Sequence, residues 1–573
     1  MRRIVFTTVL VWIVTGAAHA QWPANGKYLM GAPNGHNHSR YVQMFDLPGG
    51  EFYVVAVGRG GTSNGHGLQR LRPNGEIEPG WPVTGVSLGS FQVAISPTLS
   101  GFTIDDSLCF WHSSTVTSPS GVGAHFVRPN AAPSPSTSLW RVTNTSLQWS
   151  DAAPGTAGDI YVVSAGTNLK RIDRGGALKA GWPASGVNFS NPNGSPTDAA
   201  LLPDGSGGVV WFQSIQPIVK RYDASGLLHA GWPATGLTLT NDLTDGNTFD
   251  GALFRPLVRS GASHCFAAWT MPYTSSPVGI RLQRFSLDGA LASGWPASGL
   301  EIATAGVNVT ESVTLIEDGS DGVYVLWYKD GVPVGTHVLA DGSVLGSAQA
   351  PLLPAGASFT RPTHFLAAPI PYLMADRTPD GGLVFAWDEL DGSDVPRIRV
   401  RWLQPDLTPD QDEPSDGWLI VKATQGPSGI NYTLRTVHSD GVGGAYVAWE
   451  VMRAATPPET IGEAEIWMTR ILPSALLDTP RPAPVSARLA LSAPRPNPTR
   501  GLVVSAELSL ADDGPAFVEL LDVSGRVLAA RHVEGAGPHE ISFAETASVP
   551  VGLYFIRARG LRAAQVRRIV VTR

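Results

Sequence analysis

The chain has 573 residues, a formal net charge of −7, only 16% charged side chains, and 64 glycines beside 46 prolines. That length exceeds what one compact core organises and implies more than one domain. The acidic balance, with only short basic runs, removes the electrostatic case for binding nucleic acid.

Residues 1–20 read as a secretory signal: Arg2-Arg3, an apolar stretch from Ile4 to Val14, then the small-x-small site Ala18-His19-Ala20. The stretch is too short to cross a bilayer, and no later segment reaches the roughly 18 consecutive apolar residues that a transmembrane helix needs. The mature chain is therefore expected outside the cytoplasm without a transmembrane segment.

From Gln21 onward the chain repeats. Arg70 with Trp81, Arg171 with Trp182, Arg221 with Trp232 and Arg284 with Trp295 each stand eleven residues apart, every Trp lying in a Gly-Trp-Pro followed by Thr-Gly or Ser-Gly. A fixed internal period marks a repeat architecture, here of about 50 to 60 residues per unit. Each copy also carries a Gly- or Asp-bounded apolar run such as Gly208-Val209-Val210-Trp211, Val323 to Trp327, Leu383 to Trp387 or Ala445 to Trp449, with looser runs near residues 52, 108, 160 and 265. Short β-branched and aromatic runs bounded by turn residues read as strands. A full unit has strand A before an Asp-Gly or Gly-Gly turn, strand B with its apolar run, strand C with its Arg, and strand D introduced by Gly-Trp-Pro.

Eight such units of four antiparallel strands predict an all-β fold, an eight-bladed β-propeller over residues 21–475, with seven blades as the alternative. The eighth unit lacks Gly-Trp-Pro after Ile466-Trp467-Met468-Thr469-Arg470-Ile471, whereas Gln21-Trp22-Pro23-Ala24-Asn25-Gly26 stands alone before the first. The strand from Trp22 to Leu29 is thus expected to complete the last blade and remove its open edge. Trp-Pro is read as the start of an outer strand, where a missing N–H is tolerated. Arg70, Arg171, Arg221, Arg284, Arg401, Arg470 and Arg128 are expected to lie over aromatic rings or to pair with blade-edge carboxylates, as scaffold and not as a functional ring of charge. Cys109 and Cys265, on B strands of distant blades, are expected as two buried free thiols.

Candidate site residues are few. Asn34-Gly35-His36-Asn37-His38 precedes strand A of the first unit, Asn64-Gly65-His66-Gly67 is read as its B–C loop, and His112 stands near the matching loop of the second unit. His36, His38, His66 and His112 are the candidate metal ligands, because histidines converging from loops on one face can hold zinc or copper. The Asp-rich strings 317–322, 391–394 and 242–250 do not follow a calcium-loop pattern and read as turns. Nucleophile-elbow, zinc-helix and phosphate-loop motifs are absent, as are sialidase Asp-boxes and the tryptophan docking motif of the quinoprotein dehydrogenases. The sequence requires no cofactor.

Residues 476–493 form a Pro-rich linker, and 494–573 change character to period-two alternation, about seven strands in some 80 residues, the pattern of a small β-sandwich. Its strings Pro496-Asn497-Pro498-Thr499-Arg500-Gly501, Val518 to Arg526, Gly552-Leu553-Tyr554-Phe555-Ile556-Arg557 and Arg567 to Val571 resemble the C-terminal sorting domain of type IX secretion cargo. They are also similar to the immunoglobulin-like domain of flagellar hook-capping proteins. The resemblance implies an immunoglobulin-like fold, recognition by outer-membrane secretion machinery and a location in the medium or on the cell surface. The repeat region resembles no single family. Its expected role is a binding or adhesion propeller for a carbohydrate or protein on the face where loops vary most. The alternatives are a polysaccharide lyase or glycoside hydrolase, whose scattered carboxylates leave no linear motif, and a purely structural surface protein.

Overall fold

A computed structural model describes residues 26–471 and 489–572, apart from breaks of one to fourteen residues in the connections between strands. Residues 1–25, where the signal segment is expected, and 472–488 lie outside the described residues; Leu489–Leu491, expected within the linker, is instead a strand of the second unit. The chain divides into two compact units, Met1–Pro473 and Ser474–Arg573. Among the described residues there is no α-helix; the helical elements are two 3-10 turns, Thr156–Gly158 and Ala544–Ala547.

The first unit contains eight four-stranded antiparallel sheets. Sheets 1 to 7 span residues 38–91, 99–143, 151–188, 199–238, 257–303, 314–351 and 375–422, each as a simple A-B-C-D meander. Sheet 8 takes three strands from 431–471 and its fourth from Lys27–Gly31, which pairs antiparallel with Ala464–Ile471 in the register Lys27↔Met468 to Gly31↔Glu465. The A strands of successive sheets are neighbours around the whole set, and that of sheet 8 returns to that of sheet 1, giving a propeller-like arrangement. B strands are buried on both faces, their alternate side chains entering the cores shared with the two flanking sheets. In sheet 7, Leu383, Phe385 and Trp387 pack toward sheet 6, whereas Val384 and Ala386 pack toward sheet 8. This two-sided burial is why the B segments read as continuous apolar runs.

The structure corrects the placement of the Trp-Pro motif. Trp182, Trp232 and Trp295 sit in turns closed by the bonds Trp232 N to His229 O at 3.1 Å and Gly236 N to Pro233 O at 2.8 Å, with equivalents in the other copies. The D strands begin only after the second glycine, as in Leu237–Thr238 and Leu300–Ala303. The same displacement puts the closing strand at Lys27–Gly31, later than Trp22–Leu29. The second glycine has a physical reason: Gly299, at φ +80°, would place a Cβ 2.6 Å from Trp269, so both conformation and space demand glycine.

The A–B ladders are regular in six sheets. Only those of sheets 1 and 8 shift register, between Ser39 and Tyr41 and between Leu434 and Thr436. Each is a β-bulge that inserts one extra residue into an innermost strand.

In the second unit a three-stranded sheet (Leu489–Leu491, Val504–Leu510, Gly537–Phe543) and a four-stranded sheet (Val527–Val533, Ala516–Asp522, Gly552–Arg559, Ala564–Val571) enclose one core. Val504, Ala506, Leu508 and Leu510 from the first meet Val518, Leu520, Ile556 and Ile569 from the second. The Asn497 amide donates to the Arg568 carbonyl at 2.7 Å and its Oδ1 accepts from Val570 N at 2.9 Å; Thr499 N donates to Val570 O at 2.8 Å. Pro496 to Thr499 therefore holds the final strand in place.

Candidate ligand-binding face

Because strands alternate in direction, A–B and C–D turns emerge on one side of the eight sheets and B–C and D–A connections on the other. The repeated arginines belong to the first side. Arg70 stacks over Tyr53 and pairs with Glu51. Arg171 lies over Tyr161 and pairs with Asp159 at 2.9 Å. Arg221 pairs with Asp204 at 2.9 Å, Arg284 lies over Phe266 and reaches Ser260 Oγ at 2.9 Å, and Arg470 lies over Tyr446 and pairs with Asp440 at 2.6 Å. These guanidiniums also tie one sheet to the next: Arg171 donates to Ala224 O, Arg221 to Leu287 O and Arg284 to Ala340 O. They are committed to the scaffold. Arg128 lies outside the described residues.

Two positions depart from this pattern. In sheet 6 the arginine is replaced by His337, which stacks on Tyr324 at 4.1 Å and bonds Asp318 through Nε2 at 3.0 Å and Pro405 O through Nδ1 at 2.6 Å. Asp318 is the carboxylate of the 317–322 string and also caps Ser320 N and Gly322 N, so that string is a turn. In sheet 7, Arg401 faces Phe385 in register and not Val384. It thus occupies the position of Gln69 and Gln283 and, like them, donates to a carbonyl in or just after the D strand of the preceding sheet, Leu352 O at 3.3 Å, while it pairs with the Glu413 carboxylate at 2.9 Å as expected of the repeated arginines.

The candidate histidines sit differently from the sequence expectation. His36 lies outside the described residues. His38 is the first residue of strand A, His38–Asp46; His66 lies within strand C, Ser63–Leu71, opposite Val57; His112 lies within strand B of sheet 2, Ser107–Ser114. The B–C loop expected at 64–67 is a paired ladder, because cross-strand pairing from Phe52↔Leu71 to Gly60↔Ser63 overrides the poor strand propensity of its glycines. Their side chains are outside the described structure. Among the described residues no group of three or more His, Cys, Asp or Glu is placed to hold a metal ion. Cys109 and Cys265 are buried free thiols, and burial pushes Cys265 up to about 12.

The B–C and D–A side is uneven. B and C strands have five residues each in sheets 3 and 4, but eight each in sheets 5, 7 and 8 and nine each in sheet 1. The longer hairpins carry charged pairs, and sheet 5 shares one of them with sheet 7: Arg281 pairs with Glu301 at 2.8 Å and reaches Gly299 O, as Arg399 reaches Gly417 O. Glu389 accepts from Arg399 at 2.5 Å, Arg399 also pairs with Asp416 at 2.8 Å, and Glu465 accepts from the Trp467 indole at 2.8 Å, with Tyr28 edge-on to that indole. Deeper, Asp388 accepts from Leu434 N at 2.9 Å, and burial pushes its carboxyl up to about 7 despite that bond and nearby Arg435. Arg435 pairs with the fully buried Glu450. None of these residues was singled out from sequence, because a site made of departures from a repeat has no motif of its own.

No protein-family model matches the chain, and no curated protein matches it. Among solved structures, a eukaryotic initiation factor aligns at 10% identity over 83% of this chain and 95% of its own, with a TM-score of 0.32. A puromycin hydrolase aligns at 13% over 75% and 55%, TM-score 0.34, and a polysaccharide lyase at 10% over 75% and 90%, TM-score 0.33. Likenesses this distant assign neither a family nor an activity to the chain.

Proposed function

We propose that the first unit is a closed eight-bladed propeller whose B–C and D–A face, on the side of sheets 7, 8 and 1, binds an extracellular carbohydrate or protein. The observation that carries this reading is the contrast between the two sides. Repeated side chains on the A–B and C–D side are consumed by bonds within and between sheets, whereas the long hairpins of sheets 7 and 8 add Glu389, Glu465 and the half-buried Trp467, which the repeat does not require. Irregular groups raised on a regular scaffold are where binding is usually placed. The second unit acts in this reading as an immunoglobulin-like sorting domain read by outer-membrane secretion machinery, which would put the protein in the medium or on the cell surface.

A glycan array probed with the full chain tests the binding role. Binding weakened by Arg399→Ala and Trp467→Ala, but not by Val83→Ala on the exposed C–D side, supports the face assigned. Binding lost only through C–D turn substitutions refutes it, and cleavage of a bound glycan would replace binding with catalysis. For the second unit, removing residues 490–573 should trap the chain within the envelope; normal delivery of the truncated chain would overturn the sorting role.

A further inference from the structure

We infer that the outer rim of sheet 8, where it faces sheet 7, is a stacking site for the pyranose rings of a neutral polysaccharide, formed by Tyr28, Trp467 and Trp418. This deepens the binding role proposed above and rests on it. The repeat itself marks the place. In each sheet, the residue three before the repeated arginine of strand C, or before His337 and Trp402 that stand in its position, pairs with a residue of strand D. In sheets 1 and 3 to 7 that rung is Gly67↔Ser87, Asn168↔Asn188, Ile218↔Thr238, Arg281↔Glu301, Val334↔Pro351 and Arg399↔Leu419. In sheet 8 it is Trp467↔Tyr28, two rings set edge to face with centroids 6.2 Å apart and planes at 82°. Among these seven sheets only sheet 8 carries aromatic residues on the rung.

The two rings face sheet 7. Trp467 lies opposite Trp449, which is buried in the core shared by sheets 7 and 8, and Trp418 packs against that core from the side of sheet 7. Tyr28 and Trp418 belong to Lys27–Gly31 and Trp418–Lys422, the outermost strands of their sheets, and all three rings are half-buried. The Trp467 indole N–H is spent on Glu465 Oε2 at 2.8 Å, which fixes the ring plane and leaves its π face for a ligand. Gly31, opposite Glu465, has no side chain to cover this corner; the Tyr28 hydroxyl lies 3.5 Å from where its Cβ would stand. A pyranose with equatorial substituents offers an apolar C–H face to such rings and a belt of hydroxyls to polar groups beside them, here Glu465 and the Tyr28 hydroxyl. Rings already held in place lose little freedom on binding. The charges favour a neutral chain: the charged side chain bonded to the rung is the acidic Glu465, while Lys27, the cation next along the strand, is tied to Gly75 O at 2.9 Å.

The test is calorimetric titration of the full chain with cellohexaose, whose glucose units carry only equatorial substituents along the chain, with a polygalacturonate oligomer, and with choline as the probe of a cation cage. The expected result is cellohexaose binding that is about tenfold weaker in Trp467→Ala and in Tyr28→Ala. Tyr28→Phe, and Arg281→Ala on the same rung of sheet 5, should keep it, and saturation-transfer spectra should show contact between aromatic protons and the pyranose C–H face. Should Trp467→Ala fail to fold, Tyr28→Ala carries the comparison. Cellohexaose binding that is lost in Arg399→Ala but unchanged in Trp467→Ala and Tyr28→Ala overturns the aromatic site and leaves the face assigned above standing. Cellohexaose binding lost only through C–D turn substitutions refutes both. Binding of polygalacturonate alone, or of choline alone, overturns the neutral polysaccharide. Binding of none of the three, with Trp467→Ala and Tyr28→Ala altering stability only, means that the rings are rim packing, and the site is refuted.

Discussion

Arg221 and Trp232 donate to one and the same acceptor, the Leu287 carbonyl of the next sheet, at 2.8 and 2.7 Å. Arg284 and Trp295 repeat the arrangement on Ala340 O at 3.3 and 3.0 Å. In these two copies the eleven-residue Arg–Trp spacing brings both donors to one carbonyl, whereas Arg171 reaches Ala224 O and the Trp182 indole reaches Leu169 O at 3.4 Å. Arg221→Met strands the fully buried Asp204, whose low pKa reflects bonds from Ser206, Arg221 and Gly208 overcoming its burial. It should cost about 3–5 kcal/mol, whereas Trp232→Phe, which loses one hydrogen bond and some packing, should cost about 1–2 kcal/mol. Denaturant midpoints of the two variants and their double check this, with a double-mutant coupling above about 0.5 kcal/mol expected for residues sharing an acceptor.

Two glycines of one turn separate conformation from space. Gly294 and Gly299 have φ of +83° and +80°, but a Cβ on Gly294 meets nothing within 4 Å and one on Gly299 meets Trp269 at 2.6 Å. Gly294→Ala should cost about 1–2 kcal/mol from the left-handed backbone alone. Gly299→Ala should cost at least about 2 kcal/mol more, because a buried indole cannot step aside without overpacking its neighbours. Equal losses in thermal melts would contradict the packing described for Trp269.

Asp388 gives a pH dependence of definite sign. Its folded pKa of about 7 exceeds the ordinary carboxylate value, so the folded state holds the proton more tightly than the unfolded state does. The stability this confers is full below about pH 4 and is lost as pH rises through about 7. Asp388→Asn keeps the acceptor for Leu434 N and never ionises, so it should gain on the native chain between pH 5 and pH 8.5 by about 2–4 kcal/mol. Melting both proteins at the two pH values isolates the difference, since every other group titrates in both.

His438 bridges three sheets, with Nε2 on Asp46 at 2.9 Å and Nδ1 on Asp376 at 2.8 Å. Burial opposes its charge, but hydrogen bonds and charges of both carboxylates together outweigh that and raise it to about 10. Its contribution is full below about pH 6.5 and is lost as pH rises through about 10. His438→Gln should therefore destabilise at pH 7 by about 1–3 kcal/mol and should flatten the alkaline decline seen in melts between pH 8 and 10.5.

The sheets were legible because strand length and the turn glycines impose a fixed spacing. The errors were errors of register. Arg401 pairs with a carboxylate, Glu413, as expected, but stands one rung out of place, and a one-residue shift puts a strand side chain on the opposite face. His337 was missed as an arginine substitute, although it stands five residues before Gly342 just as Arg221 and Arg284 stand five before Gly226 and Gly289. The bulges at Arg40 and Arg435 left no trace in the sequence, since an inserted residue is defined by what it fails to pair with. Cys109 and Cys265 were legible as buried free thiols because they fall in B strands of sheets 2 and 5, too far apart to pair.

Lys27 lies opposite Met468, so the sheet that completes the first unit joins strands from the two ends of that unit. Loop-closure entropy makes such a pairing late and slow compared with the local meanders of sheets 1 to 7. During synthesis the seven contiguous sheets have all their strands available, while sheet 8 waits for its own third strand to emerge and for the first strand to find it. Until then both partners present unpaired backbone edges, which makes the open chain, and not the finished ring, the form most exposed to aggregation and to capture by chaperones.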